Sequence, residues 1–278
     1  MRLLKSKKFI IILIVFVILL CRHFYNQSLV FWSTNENYRD ISSIIEKEDI
    51  SENEYLEIFN QTGISPYAYN ELKRQNKLYM IDALHKMYFN RPEIEQKYIC
   101  FPVTTMEYNV YQKTPIADVK DGDILVNLST STLDWRHGHS ALVIDAENDK
   151  TIEHTLVGGK SQYGSVSSWC TQPKFVILRY EDKEIVRNVV EYAKNNLLGV
   201  DYDIFVGIDG KKFKSYDKRK YASNCSHIVW QAFKSQGVDI DSNGGLFVTP
   251  EDIALSEKLK VVQIYGIDIK NYIDRLLW

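Results

Sequence analysis

The chain has 278 residues, enough for one domain with a sizeable core plus a short accessory region. Its 45% hydrophobic and 25% charged residues are those of an ordinary globular protein, and a formal net charge of -2 gives no electrostatic support to a nucleic-acid groove. The local basic run Lys211, Lys212, Lys214, Lys218, Arg219 and Lys220 reads as a solvated loop, with contact to an anionic surface as its functional alternative.

Arg2, Lys5, Lys7 and Lys8 precede an unbroken apolar run from Phe9 to Cys21. As a helix that run covers about 20 Å, against a bilayer core of about 30 Å. Continuation through Phe24 and Tyr25 to Leu29–Trp32, with Arg22 at the interface, would lengthen it. A secretory signal has the same charge-then-apolar form, but no small-x-small cleavage site follows. The expectation is an uncleaved single-pass anchor over residues 1–32, with the remainder extracytoplasmic. Beyond this segment lie Cys100, Cys170 and Cys225, an odd number without CxxC or zinc-finger spacing.

Residues 33–113 read as a helical accessory region. Ser51 and Glu54 form a capping box, and Tyr55, Leu56, Ile58 and Phe59 give the apolar face that Gly63 ends. Ser65-Pro66 opens a helix through Leu72, and Leu78–Phe89 supplies another before Asn90-Arg91-Pro92. His85 lies among core-type residues and reads as structural. From Pro115 the texture changes to short strands: 123–126 after the turn Asp121-Gly122, then 139–144, 151–156 and 174–178. Residues 183–197 are helix-periodic before Gly199, Asn224–Phe233 is a helix closed by Gly237, Thr249-Pro250-Glu251-Asp252 opens a helical turn, and 261–264 returns as a strand. Strands with helices packed at one side predict an α+β domain over 114–278.

Cys225 carries the chemistry. Ser223 or Asn224 can cap its helix, placing the sulfur in the first turn, where free N–H groups and the helix dipole favour a thiolate. His139 is the candidate base, on a strand whose two faces are both largely apolar and which therefore reads as central. A third group must orient the imidazole. Glu153 and His154 both sit on the next strand of the hairpin: an even register brings Glu153 to the face of His139, an odd one His154. The turn at Glu147, Asn148 and Asp149 leaves that register open.

The order Gly122-Asp123-Ile124, His139-Ser-Ala-Leu-Val-Ile, Ile152-Glu153 and Asn224-Cys225-Ser-His-Ile-Val resembles the permuted papain-like cysteine hydrolases, the YiiX-like branch of the NlpC peptidase superfamily. The likeness covers roughly 115–266. It implies a circularly permuted papain-like fold with an antiparallel sheet or barrel and packed helices. It also implies the roles: Cys225 as nucleophile, His139 as base and Glu153, rather than His154, as orienting carboxylate. The chain departs from the pattern at Asn224, where relatives often carry an aromatic residue, and at His227, where many carry Glu. The activity implied is a metal- and cofactor-free thiol amidase or peptidase, with cell-wall peptides as the expected substrate by family analogy and location.

Three rivals stand beside it. His137-x-His139, with Asp134, His154 or Cys225, could make a zinc set. The same fold could serve as a non-catalytic surface-binding module. It could also hydrolyse or transfer lipid acyl groups, as in the related lecithin retinol acyltransferases.

Overall fold

The computed structural model describes residues 7–28, 37–90, 92–101, 103–155, 157–207, 212 and 222–278. The first helix is α1 (Lys7–Ser28). Among the described residues no helix is long and apolar enough to cross a membrane. The described apolar side chains of α1 run from Phe9 to Cys21, about 20 Å of helix, which falls short of a bilayer core of about 30 Å. That shortfall corrects the expected single-pass anchor, its membrane localisation and the extracytoplasmic placement drawn from it. The proposed continuation at Leu29–Trp32 and the side chains of Arg22, Phe24 and Tyr25 lie outside what is described, as does all of the basic run except Lys212.

Four further helices follow: α2 (Ser42–Ile45), α3 (Glu52–Thr62), α4 (Pro66–Arg74) and α5 (Tyr79–Phe89). Their boundaries have local causes. Ser51 and Glu54 close a capping box on α3, and the Ser65 hydroxyl accepts from the Ala68 N–H ahead of Pro66 at the start of α4. Gly63 ends α3 at φ 71°, and a Cβ there would lie 2.0 Å from the Ile264 carbonyl oxygen. The glycine thus lets the α3–α4 link press against a strand edge as well as turn.

The sheets contain β1 (Ile94–Cys100), β2 (Thr104–Asn109), β3 (Ile124–Asn127), β4 (Thr130–Thr132), β5 (Trp135–Arg136), β6 (His139–Asp145), β7 (Lys150–Glu153), β8 (Gln162–Gly164), β9 (Phe175–Arg179), β10 (Asp201–Tyr202), β11 (Ala222–Ser223) and β12 (Lys260–Tyr265). The main sheet has the order β12-β9-β3-β6-β7-β8 and is antiparallel throughout. A second antiparallel sheet runs β1-β2-β4-β5, and β10 pairs with β11 in parallel. The remaining helices are α6 (Lys183–Asn196), α7 (Cys225–Lys234) and α8 (Pro250–Ala254). The chain is therefore α+β, with antiparallel sheets and packed helices.

Two differences from the sequence reading concern residues 33–113. Residues 94–100 and 104–109 are strands rather than helix. The β1 side chains are mostly exposed, so no alternation of apolar residues marks it, and pairing with β2 decides its conformation. The helices also form no detached arm. Ile58, Phe59, Ile64, Tyr69 and Tyr88 lie in the same buried cluster as Val126, Ile177 and Tyr265. The α3–α4 link covers the outer edge of β12: Ser65 N–H donates to the Val262 carbonyl at 3.0 Å and Ile264 N–H to the Gly63 carbonyl at 2.7 Å. Leu277 N–H adds a 3.0 Å bond to the Val261 carbonyl, so helices and C-terminus together satisfy an otherwise open strand edge.

The sheet centre positions the site. β6 lies between β3 and β7 and is buried from His139 to Ile144, which accounts for apolar residues on both of its faces. On α7, every residue from Cys225 to Phe233 is buried.

Candidate active site

Asn224 caps α7: its Oδ1 accepts from the His227 N–H at 2.9 Å. Cys225 is thereby the first helical residue, with the N–H groups of Ser226 and Ser140 hydrogen-bonded to its sulfur. Its side chain also hydrogen-bonds His139, the first residue of β6. The sulfur and ring are 86 positions apart in sequence and meet where the N-terminus of α7 reaches β6.

The hairpin register resolves the choice between Glu153 and His154. Ala141 lies opposite Glu153, so Glu153 shares the face of His139, and Nε2 of His139 is 3.0 Å from Glu153 Oε2. A carboxylate only accepts, so Nε2 carries the hydrogen and Nδ1 is left for the thiol. His154 turns instead to Tyr202, ring centroids 4.9 Å apart and edge-on. Burial pushes the His154 imidazole down to about 4, so it stays neutral.

Several residues that no sequence pattern singled out hold this arrangement. Thr151 Oγ1 donates to Glu153 Oε1 at 2.6 Å and the Trp169 indole N–H to the same oxygen at 3.3 Å. Trp169 also stacks on the His139 ring at 5.8 Å and 17°. Gly164, on β8, leaves the volume the carboxylate occupies: a Cβ there would fall 2.2 Å from Glu153 Oε1. Thr151 was readable, since it lies two residues before Glu153 on one strand face. Trp169 was not, because it comes from a 3-10 turn outside the hairpin. Nor was Tyr202, which lies beside the thiol where burial and the nearby sulfur both raise its phenol pKa.

Burial alone would lower the His139 pKa and raise that of Cys225. Their mutual hydrogen bond, with Glu153 on the far side of the ring, reverses both: the imidazole is pushed up to about 10 and the thiol falls below its ordinary range. Glu153 is likewise held low against its own burial, first by His139 and then by Thr151 and Trp169. The three groups therefore favour thiolate, imidazolium and carboxylate together, an arrangement able to supply a nucleophile and a proton.

Cys225 and His139 are only 5% and 4% exposed, but neither is sealed away. Cys225 opens on a cavity of about 310 Å³, while His139 and Glu153 line another of about 690 Å³ with Asn127, Tyr108 and Trp169. A further cavity, about 890 Å³ between α6 and the C-terminus, contains none of the three.

The two residues of the His-x-His pair part company. Gly138 between them has φ 78°, and a Cβ there would lie 2.3 Å from the Asn127 carbonyl oxygen. His137 Nε2 pairs with Thr132 Oγ1 at 2.9 Å, whereas His139 faces Glu153. Among the described residues no three His, Cys, Asp or Glu side chains gather as a metal set. His227 acts behind α7: Nε2 donates to the Lys212 carbonyl at 2.7 Å, and Nδ1 accepts from Ser223 Oγ at 2.9 Å. Lys212 itself pairs with Asp241. His85 stacks on Tyr38 in the helical region, remote from the thiol in its contacts. All four cysteines are free.

No family model matches the chain. No solved structure matches it either. Among curated proteins it is 31% identical over 127 residues to the uncharacterized protein YycO of Bacillus subtilis (strain 168), a match covering 44% of this chain and 47% of that protein. The match thus spans about half the length of the curated relative.

Proposed function

We propose that the chain is a thiol-dependent acyl hydrolase of the permuted papain-like kind, an amidase or peptidase in its chemistry. Cys225 is the nucleophile, His139 the acid–base and Glu153 the group that orients the ring. The observation carrying this reading is the buried Cys225–His139 hydrogen bond, with the thiol pKa lowered, the imidazole pKa raised and the sulfur facing a cavity.

The Cys225 thiolate attacks the substrate's acyl carbon, and the carbonyl electrons move to oxygen, where the Cys225 N–H at the start of α7 is the donor left to meet the developing charge. The bond to the leaving group then breaks as His139 gives it a proton. A water molecule, deprotonated by the now neutral His139, attacks the thioester. The C–S bond breaks, the acid departs and the thiolate–imidazolium pair returns. Acid–base help of this kind contributes about 10²–10⁴-fold. Glu153 keeps the Nε2 hydrogen in place throughout, so Nδ1 always faces the sulfur.

The test is capture of the thioester. Wild-type protein mixed with an activated aryl ester and quenched in acid should carry one acyl group, mapped by mass spectrometry to Cys225. Turnover undiminished in Cys225→Ser would overturn the proposal. The wall-peptide expectation leaned partly on an anchor that the described apolar stretch of α1 is too short to provide, so the cleft itself is the better guide to substrate.

A further inference from the structure

The oxygen that turns negative when Cys225 attacks needs hydrogen-bond donors, and the first turn of α7 has few to spare. The Ser226 and Ser140 N–H groups are hydrogen-bonded to the sulfur. The His227 N–H is taken by Asn224 Oδ1 at 2.9 Å and the Ile228 N–H by the Asn224 carbonyl at 3.0 Å. The Cys225 N–H is the backbone donor that remains. In a site where the thiol is only 5% exposed, one donor leaves an oxyanion under-satisfied. The lining of the cavity that meets the sulfur is the place for a second.

Asn224 lines that cavity of about 310 Å³ beside Cys225. The helix cap settles how its amide is turned. A backbone N–H only donates, so the atom facing the His227 nitrogen is Oδ1, and the planar amide carries Nδ2 to its other edge. Among the described residues Nδ2 meets no hydrogen-bond partner. Two hydroxyls of the same lining are committed elsewhere: Ser226 Oγ donates to the Val248 carbonyl at 2.6 Å, and Thr249 Oγ1 to Asp252 Oδ2 at 2.7 Å. His137 Nε2 is paired with Thr132. The Tyr202 hydroxyl and the Trp135 indole also lie here, but Tyr202 comes from β10 and Trp135 is 48% exposed. Asn224 is joined to Cys225 by one peptide bond, so its free donor keeps a constant relation to the sulfur. It is also one of the two positions where the chain departs from the motifs it resembles.

We propose that Asn224 Nδ2 is a catalytic donor, which hydrogen-bonds the substrate's carbonyl oxygen as that oxygen becomes negative, alongside the Cys225 N–H. This rests on the thiol-hydrolase reading above. One side chain thereby serves twice: Oδ1 fixes the start of α7 and Nδ2 meets the developing charge. Removing a donor of this kind costs about 10²–10³-fold in rate.

The experiment acylates the full chain with p-nitrophenyl acetate in a single turnover, with the acyl group mapped to Cys225 by mass spectrometry, and alkylates it with iodoacetamide at the same pH. Both reactions need the thiolate, but alkylation creates no oxyanion. The ratio of the two rates therefore does not depend on how much thiolate is present. Asn224→Ser keeps a capping side chain and lacks the amide N–H; Asn224→Asp keeps the cap and the shape and puts an acceptor in place of the donor. In both, the ratio should fall about 100-fold, with circular dichroism unchanged. A fall of less than tenfold in either variant overturns the proposal. So does a tenfold loss confined to Tyr202→Phe, which would give the role to that hydroxyl. A Cys225→Ser protein that turns the ester over as fast as wild type overturns the thiol-hydrolase reading instead.

Discussion

Gly164→Ala tests the support of the site without altering any reacting group. Gly164 does not have a left-handed backbone, so alanine is conformationally tolerated, and the effect comes from the added methyl alone. That methyl would lie 2.2 Å from Glu153 Oε1, 2.6 Å from its Cδ and 2.7 Å from Thr151 Oγ1. Ordinary carbon–oxygen contact is well over 3 Å, so the carboxylate must move by about 1 Å or the β7–β8 pairing must open. Either shift stretches the 3.0 Å bond from His139 Nε2. A hydrogen bond to a charged group contributes about 1.5–3 kcal/mol, so kcat/KM on an activated ester should fall by about 10- to 100-fold. The rising limb of its pH profile should also move upward, because an imidazolium less stabilised by Glu153 lowers the thiol pKa less. Stopped-flow kinetics across pH reads both effects, and circular dichroism checks that the fold is kept. An unchanged rate and profile in a folded Gly164→Ala protein would refute the role given to Glu153.

Trp169→Phe keeps a ring against His139 but removes the indole N–H from Glu153 Oε1; kcat/KM should fall about three- to tenfold, less than for Gly164→Ala, as measured in the same assay. Asp123→Ala probes stability apart from chemistry. Asp123 is fully buried in a two-bond pair with Arg179, at the end of β3 away from the Asn127–His139 pairing. Removing one partner of a buried ion pair costs about 3–5 kcal/mol, so the calorimetric Tm should drop on the order of 10 °C, with the Cys225 alkylation rate unchanged at low temperature.

The parts of the fold legible in sequence carry their cause locally. Ser51, Ser65, Asn224 and Thr249 announce helix starts through their own side chains, and the apolar run of β6 marks a strand buried on both faces. Residue chemistry made Cys225 and His139 candidates for a nucleophile and its base, and the resemblance to a known order of motifs strengthened their pairing, since nothing local brings α7 to β6. The hairpin register could not be read, because a bulge between Val143 and Asp145 and the turn after it can shift parity by one. β1 escaped notice because its side chains face solvent and its structure comes from β2. Gly164 gave no signal at all; its meaning is the space it leaves for a residue eleven positions away. At the N-terminus, charge before an apolar run was a correct observation, but the thirteen described apolar residues of α1 are too few to span a bilayer.

The account depends on Cys225 being a thiolate because His139 is an imidazolium, and the pH dependence of Cys225 alkylation by iodoacetamide measures that directly. The thiol pKa lies below its ordinary value of 9.0 and the imidazole is raised to about 10, so the pair forms as pH rises through the lowered thiol value and is lost as it passes the raised imidazole value. Wild-type alkylation should therefore rise at a lower pH than that of an ordinary thiol. In His139→Ala only the Ser140 and Ser226 N–H groups still oppose the effect of burial on the thiol, so the rise should move to higher pH, with the rate at pH 7 down at least tenfold. Superimposable profiles for the two proteins would contradict the account.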